Sequence, residues 1–317
     1  MTTASAPGKV ILCGEHAVVY GQPAIALPLA DIRATATVAD GTPGGGVSFD
    51  LPDVGEHWRL SAEQQHPLAT LVRLTLERLT LAALPDLQIV LRSMIPIASG
   101  MGSGAALGAA LVKALTTHLG TPLTPDEVSR IVYESERFFH GTPSGIDNTV
   151  VSYEQAIWFM RRQPHGESPV APLIEPLVVG HPFALVVGDT GVHAPTQIMV
   201  DGLRARWQRE PERFEALFAQ IGQLVGEMRA ILATGDTLAL GTALDHNQVL
   251  LRELGVSSPE LEQLIMVARA AGALGAKLSG GGGGGIMLAL VDQQRREAVA
   301  QALLQAGAVR VAHTAVG

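Results

Sequence analysis

From Pro96 to Ala105 the chain reads Pro-Ile-Ala-Ser-Gly-Met-Gly-Ser-Gly-Ala, and it then runs straight into an alanine-rich segment. The start of a helix leaves backbone N–H groups unpaired and carries the positive end of the macrodipole. Glycines, having no Cβ, let an anion come close to those groups. Ser99, Gly100, Met101, Gly102, Ser103, Gly104 and Ala105 therefore form a candidate phosphate loop behind Pro96. The loop fits neither common nucleotide motif. It has no Gly-Lys-Ser/Thr ending of a P-loop, and alanine at 105 breaks the G-x-G-x-x-G dinucleotide pattern. By composition alone, a tight turn capping a core helix reads the same way.

Three other clusters carry residue types suited to chemistry. Lys9 precedes a short apolar run at 10–13, and Gly14-Glu15-His16 follows it. Strand ends often hold functional side chains, although a surface lysine and a solvated Glu-His turn would give the same letters. Glu136 stands four residues after Val132 and three before Phe139, on the shoulder of a helical apolar face. A carboxylate there can hold a hard cation through oxygen, or simply be exposed. Beyond it, His140-Gly-Thr-Pro-Ser144-Gly-Ile-Asp147-Asn148 is rich in turn formers, and Asp147 reads either as a reactive carboxylate or as a helix cap. Last, Lys277-Leu-Ser precedes six glycines, 280–285, with apolar strand-like residues on both sides. That setting favours a tight loop that lets backbone approach a ligand over a flexible linker. There is no G-x-S-x-G, H-E-x-x-H, H-R-D or D-F-G signature, and the histidines show no metal-type spacing.

These residues need elements to position them. Residues 10–13, 24–29, 33–38 and 87–91 read as strands, the last feeding the glycine loop. Leu68, Leu71, Val72, Leu76 and Leu79 share one stripe of a helix over 67–81. Leu107, Leu111, Leu115 and Leu119 recur every four residues until Gly120 stops the helix. Thr124-Pro-Asp-Glu127 is a capping box that opens a helix to about residue 139. Residues 153–161 read as a strand, and the proline-containing stretch 162–172 as a hairpin loop or an interdomain link. Later come a strand at 183–187, helices at 212–232, 237–253 and 259–271, strands at 276–279 and 286–291, a helix at 292–305 and a strand at 309–312. Helices and strands mixed without regular alternation predict α+β architecture in two lobes.

Bulk composition excludes several classes. The chain has 317 residues, 47% hydrophobic and 16% charged, with a net charge of −8 and only 4% aromatics, so its cores must rest on aliphatic side chains. No basic patch suited to nucleic acid or an anionic membrane is visible. One cysteine, Cys13, rules out an intrachain disulfide and a Cys-based zinc site, and fits a reducing, cytoplasmic compartment. No secretory leader and no membrane span are expected.

In this order, residues 7–16, 96–106 and 277–285 resemble the three motifs of the galactokinase, homoserine kinase, mevalonate kinase and phosphomevalonate kinase superfamily. Gly14-Glu-His-Ala-Val-Val-Tyr-Gly21 with Pro23-Ala-Ile-Ala26 looks like the mevalonate kinase branch, as do the 140–148 run and Asn247-Gln248. The resemblance implies an α+β, two-lobed small-molecule kinase fold. A ribosomal-protein-S5-like N-terminal domain (1–175) would bind ATP and Mg2+, and a ferredoxin-like C-terminal domain (176–317) would complete the substrate cleft. It implies transfer of the γ-phosphoryl of ATP to the 5-hydroxyl of mevalonate, a step of isoprenoid precursor synthesis. The 96–105 loop would wrap the ATP phosphates, and Glu136 with Ser103 would bind magnesium. Asp147 would be the catalytic base and Lys9 the lysine near the transferred phosphoryl, while Glu15, His16, Ser144 and Gly281 would lie toward the substrate. A homodimer is compatible with the resemblance.

The chain departs from the superfamily pattern at Gly104, where a second, magnesium-binding serine is usual, and at Gly281, where alanine is usual. The alternatives are a phosphomevalonate kinase, a related ATP-dependent decarboxylase, or a non-catalytic nucleotide and metabolite sensor on the same fold. A phosphorylated substrate would favour extra Lys or Arg, and the motifs offer only Lys9 and Lys277.

Overall fold

The computed structural model describes all residues except 62, 64, 82–83, 97–98, 141–143, 163–171 and 193, together with the backbone but not the side chains of 138–140. The strands are β1 (Thr2–Cys13), β2 (Pro23–Asp40), β3 (Val47–Leu51), β4 (Glu56–Arg59), β5 (Leu87–Ser93), β6 (Ile157–Met160), β7 (Leu173–Pro176), β8 (Phe183–Asp189), β9 (Gly275–Ser279), β10 (Ile286–Val291) and β11 (Arg310–Val316). The helices are α1 (Pro67–Arg78), α2 (Ser103–His118), α3 (Pro125–His140), α4 (Ile146–Tyr153), α5 (Thr196–Arg209), α6 (Pro211–Thr234), α7 (Thr237–Glu253), α8 (Pro259–Ala270) and α9 (Arg296–Gln305). Mixed helices and sheets make the fold α+β, as expected. The chain forms two compact units, each discontinuous in sequence: 1–8, 32–97 and 102–154 in the first, and 9–31, 98–101 and 155–317 in the second.

In the first unit, the second half of β2 pairs antiparallel with β5, β3 runs parallel to β5, and β4 closes on β3. Alternation sets the faces: Ala34, Ala36 and Val38 are buried, while Thr35 and Thr37 between them are half-buried. The helices α1, α2, α3 and α4 pack on one another, and α2 also packs on β5. The small residues of α2 allow this close approach. A Cβ at Gly108 would come within 3.0 Å of Leu71 Cδ1 on α1. The capping box at the start of α3 forms as the sequence predicts, with Thr124 N–H donating to Glu127 Oε2 at 3.0 Å and Glu127 N–H to Thr124 Oγ1 at 3.4 Å. Pairing two otherwise unsatisfied N–H donors stabilises a helix start by about 1 kcal/mol.

In the second unit, β11, β8, β10 and β9 form an antiparallel sheet in that order. All six residues of β10 are buried, with α8 and α9 packed on this sheet and α7 along β9. An edge strand leaves a row of unpaired backbone groups, and α7 covers them here. Asp245 Oδ1 accepts from Ala276 N–H and Gln248 Oε1 from Leu278 N–H, each at 2.9 Å. The first half of β2 pairs with β6, and β6 with β7.

The structure differs from the sequence reading at residues 153–161. Helix α4 continues through Tyr153, and the strand begins only at Ile157. Glu154, in the left-handed conformation (φ 55°), ends the helix, and its carboxylate takes ion pairs from Arg33 and Lys113, each at 2.7 Å. Most of the stretch predicted as a hairpin loop or link, 162–172, lies outside the described residues. No described helix is long and apolar enough to cross a membrane.

Candidate active site

Each unit holds part of the predicted constellation. In the first, Gly102 caps α2 with left-handed backbone (φ 70°, ψ 35°) and no side-chain cap. This is the conformation for which glycine is suited. Ser103, Gly104 and Ala105 follow as the first turn, and Ala106 N–H is the first amide to close back, on Gly102 C=O at 2.9 Å. The amides before it point out of the helix start, as an anion site needs. Ser103 is half-buried and Gly104 exposed.

Glu136 is half-buried on α3 and Glu134 exposed, in keeping with the shoulder position read from Val132 and Phe139. Asp147 is also half-buried. It is not the cap of α4: that place belongs to Gly145 (φ 90°), and Asp147 lies within the first turn. An acidic residue there complements the helix macrodipole. Its neighbours are anchored. The Asn148 amide is hydrogen-bonded to Ser129 Oγ of α3 at 2.8 Å, and Thr149 Oγ1 donates to Gly145 C=O at 2.6 Å. Ser144 Oγ accepts from Ile146 N–H at 3.3 Å, so its hydroxyl also shapes the turn into α4. Gly141, Thr142 and Pro143 lie outside the described residues.

The second unit gathers Lys9, Glu15, His16, residues 99–101 and the last glycine loop. Lys9 is buried, and its backbone N–H donates to Met101 C=O at 2.9 Å, which ties β1 to the candidate phosphate loop. Ser99 is buried and Gly100 exposed. Pro96 belongs to the first unit and is half-buried. Gly280, Gly282, Gly283, Gly284 and Gly285 all have positive φ. A Cβ at Gly282 or Gly284 would overlap the carbonyl oxygen of Val256 or Val192, so this loop is a tight turn and not a linker. Gly281 is the exception. Its φ is not positive, and a Cβ would meet the Thr196 side chain, Oγ1 at 3.1 Å and Cγ2 at 3.2 Å, so the alanine usual there would need a small shift.

His16 has φ 59° and ψ −49°, and Ala17 N–H donates across it to Glu15 C=O at 2.6 Å. This is a γ-turn centred on positive φ, the rarer and strained form. The His16 ring, 6% exposed, places Nε2 3.0 Å from Gly281 C=O. A carbonyl only accepts, so Nε2 carries the proton. Burial pushes His16 down from 6.5 to about 4, and the Arg206 charge adds to this, while the Gly281 carbonyl pulls the other way. The ring is therefore neutral at pH 7, with the Nδ1 lone pair as acceptor. A depressed folded-state value means that stability present above pH 6.5 is lost as pH falls toward 4. Wild type should lose up to about 3 kcal/mol relative to His16→Gln across that window. Chemical denaturation of both proteins between pH 7 and pH 4 measures this, and parallel curves would contradict the neutral, buried ring.

Glu15 and Lys277 form a fully buried ion pair, and Lys277 Nζ also donates to Ile11 C=O at 3.4 Å. Burial pushes Glu15 upward, opposed by the charges of Lys277 and, more weakly, Lys9. Burial and the Glu15 charge also push the Cys13 thiol far above its ordinary value, which leaves it unreactive. Two further residues, Ser279 of the Lys277-Leu-Ser cluster and Thr190, which the sequence did not mark, complete this unit. Ser279 hydrogen-bonds Ile11, and Thr190 N–H and Oγ1 both donate to Gly285 C=O at 2.9 Å. The alternation Lys277-x-Ser279 at the mouth of a glycine loop was the available signal for the first of these.

Comparison with known proteins bears on the whole chain. Residues 68–155 match the GHMP kinases N terminal domain, and residues 228–309 match the GHMP kinases C terminal domain. A mevalonate kinase of Thermococcus sibiricus is 33% identical over 97% of this chain and 94% of its own. A mevalonate kinase of Pyrococcus furiosus is 34% identical over 96% of this chain and 93% of its own. The crystal structure of L. major mevalonate kinase in complex with R-mevalonate superposes with a TM-score of 0.85 at 29% identity, covering 100% of this chain and 96% of that one.

Proposed function

The chain belongs to the GHMP kinase family, among its mevalonate kinases, and from that membership we propose that it transfers the γ-phosphoryl of ATP to the 5-hydroxyl of mevalonate, giving 5-phosphomevalonate and ADP. The observation that supports this most is the arrangement in the first unit. Helices α2, α3 and α4 pack on one another and carry the glycine-capped helix start, Glu136 and Asp147 respectively.

Phosphoryl transfer asks the protein for position and charge stabilisation more than for covalent chemistry. The amides of Ser103, Gly104 and Ala105 bind phosphate oxygens. Asp147 accepts the proton of the 5-hydroxyl as its oxygen attacks phosphorus. The Lys9 ammonium offsets charge on the phosphoryl oxygens. His16, neutral and with Nδ1 as acceptor, takes a hydrogen bond from a substrate donor, and within the same unit Glu15 and Gly281 lie on the substrate side; in the first unit Ser144 is the substrate-side residue that family membership suggests.

The described residues contain no cluster of three or more His, Cys, Asp and Glu side chains that could cage a metal. Mg2+ uses one or two protein oxygens and otherwise water and substrate phosphate. Glu136 and Ser103 are the donors that would hold it, and the ion would neutralise charge on the ATP phosphates. Glu136→Gln should raise the Mg2+ concentration needed for half-maximal nucleotide binding by about tenfold. Gly104→Ser should lower it, because a Cβ at Gly104 meets nothing within 4 Å and the added hydroxyl has room. Fluorescent-nucleotide titrations against Mg2+ measure both, and unchanged midpoints would remove Glu136 and position 104 from the metal site. Phosphorus NMR of the product tests the reaction itself. A phosphomonoester on the mevalonate 5-oxygen is expected, and inorganic phosphate alone would overturn the reading.

A further inference from the structure

Lys277 and Ser279 lie two apart on β9, so their side chains share one face of the strand. Both meet the end of β1. Ile11 N–H donates to Ser279 Oγ at 3.0 Å, and the same hydroxyl donates to Ile11 C=O at 2.9 Å. One hydroxyl thus satisfies both polar groups of one residue, doing the work of a neighbouring strand. Lys277 Nζ adds a third contact to that carbonyl and pairs with Glu15. Just past the strand, Gly281 C=O receives His16 Nε2. Three successive points of the last motif therefore grip three points of the first, all within one unit. The grip is itself fixed, because Lys277 and Ser279 pair in register with Leu288 and Ile286 of β10.

We propose that Ser279 and Lys277 are positioning residues that hold the end of β1 and the His16 γ-turn, and so set the places of Lys9, Glu15 and His16 without touching substrate. A γ-turn at positive φ persists only where its surroundings over-determine it. Its flanks are held here by Ser279 at Ile11 and by Lys277 at Glu15. Stability alone explains the pair poorly. Glu15 Oε2 has no hydrogen-bond partner among the described residues, and a half-satisfied buried pair is a weak stabiliser beside an apolar packing of equal volume. What the pair does supply is a fixed location for the Glu15 carboxylate and the turn that follows it. Without the grip, the turn relaxes toward ordinary backbone and the imidazole leaves Gly281.

This inference rests on the reading of Lys9, Glu15 and His16 as substrate- and phosphoryl-facing, and its test separates the two. Ser279→Ala, Ser279→Thr and Lys277→Arg are compared with wild type by steady-state kinetics, thermal unfolding and amide hydrogen exchange of residues 9–17. Ser279→Ala should lower kcat/KM for mevalonate by about tenfold or more and leave the KM for ATP within about twofold, because a small misplacement of reacting groups is costly. Exchange at Ile11 and Ala17 should rise by about tenfold as the local opening becomes easier. Ser279→Thr keeps the hydroxyl and should return both readouts toward wild type. Lys277→Arg keeps the charge but changes the geometry, and should reproduce the kinetic pattern even if Ser279→Ala folds poorly. Normal kinetics and normal exchange at residues 9–17 in folded Ser279→Ala would overturn the proposal. So would a lowered Tm with unchanged kinetics. If wild type does not turn over mevalonate, the substrate reading falls, and exchange at Ile11 and Ala17 still decides the grip.

Discussion

Asp147→Asn should lower kcat by about 100-fold or more while leaving ATP affinity within about twofold, since a positioned general base contributes on that scale. Asparagine matches aspartate in shape and keeps the anchors around it, Asn148 to Ser129 and Thr149 to Gly145. The fold of α4 should therefore survive, and the loss reports on proton acceptance. Asp147 is not itself the N-cap of α4, a place held by Gly145. Pre-steady-state mixing of enzyme, ATP and mevalonate would separate the chemical step from product release. A variant with near-normal single-turnover rates would remove Asp147 from the base role and leave Lys9 and the phosphate-facing amides to carry the acceleration.

The second large effect is on stability. Lys277→Met should cost about 3–5 kcal/mol, because removing one partner of a buried ion pair leaves the other charge buried and uncompensated. Both side chains are fully buried, and Lys277 hydrogen-bonds the Glu15 carboxylate. Methionine keeps most of the lysine stem's volume, so the loss comes from the charge and not from a cavity. Lys277→Met combined with Glu15→Gln removes the stranded charge and should recover most of the deficit. The parent, both single variants and the double variant form a thermodynamic cycle in urea. A single Lys277→Met variant within about 1 kcal/mol of the parent would show that Glu15 is not held as a charged, lysine-dependent group.

The sequence exposed much of this arrangement because local chemistry and global fold agree at those points. The leucine stripe of α2, the capping box of α3 and the long apolar period of α6 each have one sensible element to form. Five of the six glycines at 280–285 proved to be positive-φ positions, and Gly282 and Gly284 are pressed against other backbone, as a tight loop requires. Other elements were hidden for physical reasons. Helix α4, Ile-Asp-Asn-Thr-Val-Val-Ser-Tyr, is short and rich in β-branched residues, so propensity argues for a strand. Tertiary anchors to α3 decide otherwise. Helix α5 buries only Leu203 fully and has almost no apolar stripe to detect. The two units are discontinuous because β1 and β2 each run through both, which no linker composition signals. The Lys277–Glu15 pair joins residues 262 positions apart, and nothing in either local sequence names the other.

The site was legible as residue types and not as roles. Lys9, Glu15 and His16 stood out at the ends of a strand, yet the strained turn at His16 and the grip of Ser279 on Ile11 are properties of the folded chain. Gly104 was the odd residue of the phosphate loop. The open space around it makes serine an acceptable replacement there, so steric exclusion does not account for the glycine.

Release of ADP by the purified enzyme with ATP, Mg2+ and, in parallel, mevalonate, phosphomevalonate, homoserine or galactose decides whether mevalonate is the phosphoryl acceptor. kcat/KM for mevalonate should exceed that for each of the others by about 100-fold or more, a margin that a site built around specific hydrogen bonds readily supplies. Preferred turnover of phosphomevalonate, or no ADP release above the rate without acceptor for any of the four, would contradict it.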